Sequence, residues 1–310
     1  MRGAHPQRAI EAEVQRDGVV RKGERIVVAC SGGPDSVALA AILHALSKRL
    51  GLTLTLAHVN HGTRVSAWQD ECVVSGIAAT FGLPVEIVAL DESRRDEGSL
   101  RDARYAALLG IAREAGATAV ATAHHAQDQS ETVLLALFRG AGPDGRAGME
   151  SRRPLGDGVE LIRPLLRVPS EGLAAYCRFE TLPYAVDPTN DDDGATRNAV
   201  RSALEALRPR FPGLDAAVAR AADLVAHEQA GSRRAGLRRQ VREALREQEG
   251  LRDVDFAHVE AAVRALESGS NGRFFMKTGL ALTVKRGTLV IEGTDETHRH
   301  LRGNDRADAL

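Results

Sequence analysis

Four short apolar runs, RIVVAC (25–30), LTLTLAHV (52–59), VEIVAL (85–90) and ATAVATA (117–123), are each followed by a stretch with helical spacing. The helices are expected over 36–50, 67–81, 100–115 and 127–138. A strand covered by helices on both faces has no wet side, so it reads as a nearly continuous apolar run. Four strand-then-helix units in succession predict an α/β fold, a doubly wound parallel sheet. Such sheets bind ligands at the carboxyl ends of their strands, and the polar clusters of this chain follow its apolar runs.

From residue 139 the texture changes. RGAGPDGRAGM is glycine-rich, RPLGDGVELIRPLLRVPS reads as loop and short extended structure, and EGLAAYCRFE as a short helix. YAVDPTNDDDGATRNAVRSAL runs from an acidic turn into another helix, and RPRFPGL, with two prolines and a glycine, marks a domain boundary. The expected organisation is a catalytic domain over 1–212 and a second, smaller helical domain over 213–293. The second domain holds a helical pattern at 214–247, broken near Gly231, a helix over 255–268, and a short antiparallel β unit. The polar tail 294–310 is expected to be disordered.

The 310 residues carry a formal net charge of −1, so bulk charge points to no nucleic-acid partner, although a local patch would suffice for one. Cys30, Cys72 and Cys177 stand far apart with no CxxC pair. That spacing argues against a zinc ribbon, an iron–sulfur site or a disulfide framework, and suits a reducing compartment. The N-terminus has no apolar core of a signal peptide, and no apolar run approaches a membrane span. The expectation is a cytoplasmic protein with no membrane partner. The oligomeric state, a homodimer included, is left open.

Between the first strand and its helix stands Ser31-Gly32-Gly33-Pro34-Asp35-Ser36. Free amides and the helix dipole make such a junction an anion site. Gly32 and Gly33 admit close approach, Ser31 and Ser36 can donate to phosphate oxygens, and Pro34 suits a first helical turn. The lysine of the Walker pattern is missing. Asp35 would repel a polyphosphate unless Mg²⁺ lay between them, which makes Asp35 the candidate metal ligand.

SGGPDS resembles the PP-loop of the N-type ATP pyrophosphatases, the adenine nucleotide alpha hydrolase-like fold. Those enzymes transfer AMP from ATP to a carbonyl oxygen and release pyrophosphate. Further segments resemble tRNA(Ile)-lysidine synthetases. They are His58, His61 and Arg64 in LAHVNHGTR; His124, His125, Asp128, Gln129, Glu131, Thr132, Arg139, Gly140 and Gly142 in HHAQDQSETVLLALFRGAG; and Arg163–Leu166 in RPLL. Asp187, Thr189, Asn190, Arg197, Asn198 and Arg201 complete the series in DPTNDDDGATRNAVR. The resemblance runs in order from 25 to about 215.

It implies a carbon–nitrogen ligase using ATP and Mg²⁺. C2 of the wobble cytidine of an isoleucine tRNA with a CAU anticodon would be adenylated, and the ε-amine of L-lysine would then displace AMP. The implied ATP-binding residues are Ser31, Gly32, Gly33, Asp35, Ser36, His58, Arg101 and His124. Asp128, at a helix start, could fix the ammonium or take its proton. Glu131, on the same helix face, is a second ammonium ligand or else a solvated carboxylate. Arg104 and Asp187 complete the implied substrate set, unless Asp187 pairs with a nearby arginine. Arg197, with Asp35 and Asp128 the implied catalytic group, could balance charge on the α-phosphate, as could Arg201. The family's Glu-Ala-x-x-Arg segment is shorter here; DEGSLRDARYAAL keeps Arg101, Arg104 and Tyr105, with Glu97 as a possible substitute for the glutamate.

Arg234, Arg238 and Arg242 recur at every fourth residue of a predicted helix. With Arg201 they are candidate tRNA contacts, although neighbouring glutamates make an ion-paired face an equal expectation. The rival functions are a tRNA thiolase, which the cysteine spacing disfavours, and a nucleotide- or RNA-binding relative without catalysis.

Overall fold

The structure is a computed structural model that describes residues 6–60, 67–90, 97–185, 195–230, 233–247, 256–275, 280–285 and 287–293. Its elements begin with α1 (Pro6–Arg16), β1 (Arg25–Ala29), α2 (Pro34–Leu50), β2 (Thr53–Asn60), α3 (Ala67–Phe81), β3 (Val85–Ala89), α4 (Glu97–Glu114), β4 (Ala119–Ala121) and α5 (Ala126–Phe138). There follow α6 (Pro143–Arg146), β5 (Arg152–Gly156), β6 (Val159–Ile162), α7 (Ser170–Phe179) and α8 (Ala195–Leu207). The chain ends in α9 (Leu214–Ala230), α10 (Arg233–Glu247), α11 (Phe256–Ser268), β7 (Gly272–Phe275), β8 (Leu280–Lys285) and β9 (Thr288–Gly293).

The predicted parallel sheet is present, in the order β3-β2-β1-β4-β6-β5. Its first five strands are parallel, with Val27 of β1 opposite Thr55 of β2 and Val120 of β4. β5 alone runs antiparallel, joined to β6 through Asp157 and Gly158, both at positive φ. That Asp-Gly pair makes the tight two-residue hairpin turn such dihedrals favour. The strand order reverses between β1 and β4, so the ends of those two strands form the switch-point crevice.

Helix α2 shows why the sequence there is apolar on every side. Val37 to Leu43 and Leu46 are buried, as are Val14 of α1 and Leu173, Tyr176 and Cys177 of α7, all in one core. α2 is therefore an interior helix, sheathed by α1 and α7, and ends at Gly51, whose left-handed φ of 67° lets its N–H reach the Ser47 carbonyl. Full burial of a side chain such as Leu39 or Ile42 contributes about 1.5–3 kcal/mol. Tyr105, Leu108 and Ile111 of α4 pack with Val27, Ala57, Val120 and Leu161 in a separate core.

The chain divides into two compact units. One comprises Met1–Leu135 and Gly148–Ala221, the other Ala136–Ala147 and Ala222–Leu310. The segment 136–147, placed by its sequence within the first domain, thus belongs to the second unit. In that unit Val241, Leu245, Val259, Val263, Leu282 and Val284 join α10, α11 and the antiparallel sheet β7-β8-β9 in one core. The expected tail 294–310 lies outside the described residues. Among the described residues, no helix is long and apolar enough to cross a membrane.

Candidate active site

The glycine loop closes on itself through two serines. Ser36 Oγ accepts from the Ser31 N–H at 3.0 Å, lies 3.1 Å from Ser31 Oγ, and donates to the Gly33 carbonyl at 2.9 Å. Gly32 has φ +91°, and a Cβ there would stand 3.2 Å from the Asp70 Cα, so only glycine lets the loop pack this closely on α3. Pro34 opens α2, and the first intrahelical bond runs from Val37 N–H to the Gly33 carbonyl at 3.0 Å. The amides of Asp35 and Ser36 precede that bond, as an anion site at a helix start requires.

His58 is 4% exposed, and its Nδ1–H donates to the Cys30 carbonyl at 2.9 Å. Its ring therefore anchors the last residue before the loop. The expected His61 and Arg64 lie outside the described residues, as do Asp187, Thr189 and Asn190 and the side chain of Glu97.

At the adjoining strand end, the paired histidines separate two poles of opposite charge. His125 Nε2 lies 3.6 Å from Asp35 Oδ2 and 3.5 Å from Asp128 Oδ2. Asp128 also accepts from the His125 N–H at 2.9 Å, one half of a capping box at the start of α5. Burial raises the Asp35 carboxyl above the usual range; His125 opposes the shift, and the charges of Asp128 and Glu171 add to it. Glu171 is a member of this acidic pole that the sequence pattern did not reveal; it is held by Gln127 Nε2 at 2.9 Å. Such a pole favours a cation. Among the described residues no three ligands gather as a protein-only metal cage. Mg²⁺ needs none where phosphate oxygens and water complete its shell, so Asp35 beside a phosphate loop fits that ion.

His124 faces the other way. Burial pushes its pKa down to about 3, and the guanidiniums of Arg163, Arg104 and Arg101 push in the same direction. It is a neutral imidazole at physiological pH, with Nδ1 2.9 Å from Thr122 Oγ1.

Two glutamines of the same segment are backbone clamps. Gln129 holds Met149 at both ends, accepting from its N–H at 2.8 Å and donating to its carbonyl at 3.2 Å. Gln127 Oε1 accepts from the Ser170 N–H at the start of α7. Glu131 is not a solvated carboxylate: it is 3% exposed and faces Arg201 at 2.9 Å and Arg197 at 3.7 Å. α8 is fixed beside α5 by Leu135, Val200 and Leu204, which brings Arg197 and Arg201, one turn apart, to the same carboxylate.

In the second unit the arginine stripe of α10 meets carboxylates. Arg234 pairs with Glu260 and Glu267 at 2.8 and 2.9 Å, Arg238 with Glu260, and Arg242 Nη1 lies 3.6 Å from Asp144 Oδ2. The ion-paired face that its sequence allowed is formed.

A family described as the PP-loop domain matches residues 5–207. The tRNA(Ile)-lysidine synthase of Salinispora arenicola is 40% identical over 291 residues, covering 92% of this chain and 82% of that protein. The enzyme of the same name from Geobacter sulfurreducens is 41% identical over 248 residues, 77% of this chain and 50% of the longer relative. Among solved structures, the U34-tRNA thiolase NcsA of Methanococcus maripaludis, with its [4Fe-4S] cluster, is similar at TM-score 0.62 and 20% identity, covering 72% of this chain and 79% of its own. That likeness is one of fold. The loop, the paired poles at the switch point and the sequence identity agree: the chain belongs to the tRNA(Ile)-lysidine synthase family of PP-loop proteins.

Proposed function

We propose that this chain is a carbon–nitrogen ligase that converts the wobble cytidine of an isoleucine tRNA with a CAU anticodon to lysidine, consuming ATP and L-lysine. The observation that carries this reading is the juxtaposition, through His124 and His125, of a phosphate loop, an acidic pole and a basic pole. The reaction needs all three. ATP loses pyrophosphate, a cytidine oxygen gains AMP, and a cationic amine must arrive and shed a proton.

In this reading the amides of Asp35 and Ser36, at the start of α2, bind the departing pyrophosphate, a leaving group that needs no Walker lysine. Mg²⁺, held by Asp35, would neutralise charge on the phosphates. The cytidine O2 attacks the α-phosphorus, and Arg197 is assigned to balance the charge that develops. Asp128 then receives the lysine ammonium, orients it and takes its proton as the nitrogen attacks C2 and AMP departs. Its carboxylate is already positioned by the His125 N–H. His124, kept neutral by its surroundings, can accept or donate one hydrogen bond without adding charge. The second unit is assigned tRNA contact, with Arg234, Arg238 and Arg242 of α10 as its candidate residues, and the enzyme is assigned to the cytoplasm, where its three substrates meet.

The test is incubation of the purified chain with ATP, Mg²⁺, radiolabelled lysine and unmodified tRNA transcript. Label stable to mild alkali, absent with Asp35→Ala, is the expected result. AMP and pyrophosphate formed on tRNA addition without label on the tRNA would refute lysine as the nucleophile.

A further inference from the structure

The chain has one tryptophan, Trp68, and the fold leaves it 61% exposed. An indole can bury about 150–250 Å², and tryptophans are on average well buried, so an exposed one is informative where an exposed leucine is not. Its helix, α3, has an apolar face of its own. Val74, Ile77 and Ala78 sink into the core beside α2, with Val73 and Phe81 packed against them. Trp68 stands off that face, one turn before the exposed Cys72. The largest side chain of the helix therefore contributes little to the core.

The position of Trp68 is fixed relative to the phosphate loop. α3 begins beyond the carboxyl end of β2, the strand beside β1. Asn60, the last residue of β2, donates from Nδ2 to Glu71 Oε1 at 2.7 Å and ties the start of α3 to the sheet. Asp70 rests on the loop itself, since a Cβ on Gly32 would lie 3.2 Å from the Asp70 Cα. Gly32 is also held by Ala185, whose N–H donates to its carbonyl at 2.9 Å. Residues two apart on a helix project about 200° apart, so Trp68 occupies the side of α3 away from the loop, one helix width of about 10 Å from it. Its Cα–Cβ bond leans toward the helix N-terminus, at the edge of the sheet where Asp35 and His124 also follow their strands.

We infer that Trp68 is a stacking platform for an unpaired base of the RNA substrate, one that flanks the cytidine to be modified. The inference rests on the function proposed above. A cytidine delivered to the phosphate loop leaves the stack of its own strand, and the bases beside it lose a stacking face. An exposed indole on a helix replaces that face at small entropic cost, because only two χ angles need to be ordered. The adenine of ATP is the other nucleobase of the reaction. Its phosphates are assigned to the loop, which meets α3 on the Asp70 side, so the RNA base is the assigned occupant.

Because Trp68 is the only tryptophan, tryptophan fluorescence reports on this position alone. The full chain is titrated, without lysine, with unmodified tRNA transcript, its anticodon stem-loop, an RNA duplex and ATP with Mg²⁺. Quenching by the tRNA and the stem-loop, and none by the duplex or by ATP, is the expected result. Trp68→Ala should weaken tRNA binding about tenfold at an unchanged salt slope, since stacking neutralises no phosphate, and Trp68→Phe should recover most of the loss. Both variants should keep the wild-type melting temperature. Unchanged emission at saturating tRNA would overturn the inference, and so would wild-type affinity in Trp68→Ala or equal quenching by the duplex. Quenching by ATP alone would give the indole to adenine. Emission that varies with protein concentration in the absence of RNA would give it to a second copy of the chain. Either result overturns the assignment to RNA. Lysidine formed by a chain that shows no quenching would refute the platform alone. Stem-loop quenching in a chain that forms no lysidine would refute the proposed function and leave the platform standing.

Discussion

Replacing Glu131 with glutamine separates a structural carboxylate from a substrate-binding one. The Glu131 side chain is 4% exposed, and it faces Arg201 at 2.9 Å and Arg197 at 3.7 Å. Removing one partner of a fully buried ion pair costs about 3–5 kcal/mol. Here the arginine side chains are 26% and 30% exposed, so water screens part of the charge left behind. About 2 kcal/mol is the expected loss. The unit containing the triad has about 200 residues, a size at which 1 kcal/mol corresponds to about 2–4 °C. Glu131→Gln should therefore lower the melting temperature by about 4–8 °C, and Glu131→Gln with Arg201→Gln should lose less than the sum of the single changes. Scanning calorimetry at neutral pH gives the first quantity, and initial rates at varied lysine give the second readout. An unchanged melting temperature with a raised lysine KM would refute this reasoning and make Glu131 an ammonium ligand.

Asp35→Asn should abolish AMP formation while raising the melting temperature of the ligand-free protein. A carboxyl whose folded pKa is raised contributes stability that is lost as pH rises through that pKa, so ionised Asp35 strains the neutral-pH fold; a lower melting temperature would refute this. His124, lowered to about 3, has the opposite sense: the fold should lose stability as pH falls from 6.5 toward 3. In His124→Gln that slope should be shallower, and an imidazole NMR titration of His124 between pH 5 and 8 would contradict the assignment. Gly148→Ala places a Cβ 2.6 Å from Gln129 Nε2 at φ +68°, and it should cost about 2–3 kcal/mol by strain and loss of the Met149 clamp. Gly140→Ala, at φ +67° with no atom within 4 Å, should cost only about 1 kcal/mol, and equal losses in urea titrations would show that the clamp contributes nothing.

The parallel sheet was legible because burial on both faces writes itself as unbroken apolar runs, and β1 to β4 and the helices after them stand where those runs predict. The β5–β6 hairpin was harder. Its strands are short and polar in part, and its one local signal was the Asp-Gly pair at 157–158. α1 carried a weaker mark, Ile10 and Val14 one turn apart on an otherwise polar segment, and its role became clear only with α2 buried beneath it. In the site, residues next to a strand end could be named from their motifs, Asp35 and Asp128 among them. Partners brought from far along the chain could not. Glu171 reaches Asp35 through the packing of α7, and Arg153 reaches Tyr105 through the hairpin. No spacing rule encodes either pair. The stripe on α10 illustrates the reverse limit, since periodicity gave its face and tertiary contact gave its partners, Glu260, Glu267 and Asp144.

The assignment of Ala136–Ala147 to the second unit has a consequence for inheritance. Asp144, which meets Arg242, is encoded upstream of β5 and β6, two strands of the other unit. A gene truncated after residue 212 would keep Asp144 and lose Arg242, and one beginning at 213 would keep the arginine without the aspartate. A single recombination crossover can therefore exchange neither unit intact. The two units must descend together, and grafting a new second unit onto the first requires three joints, one on each side of 136–147 and a third beyond Ala221.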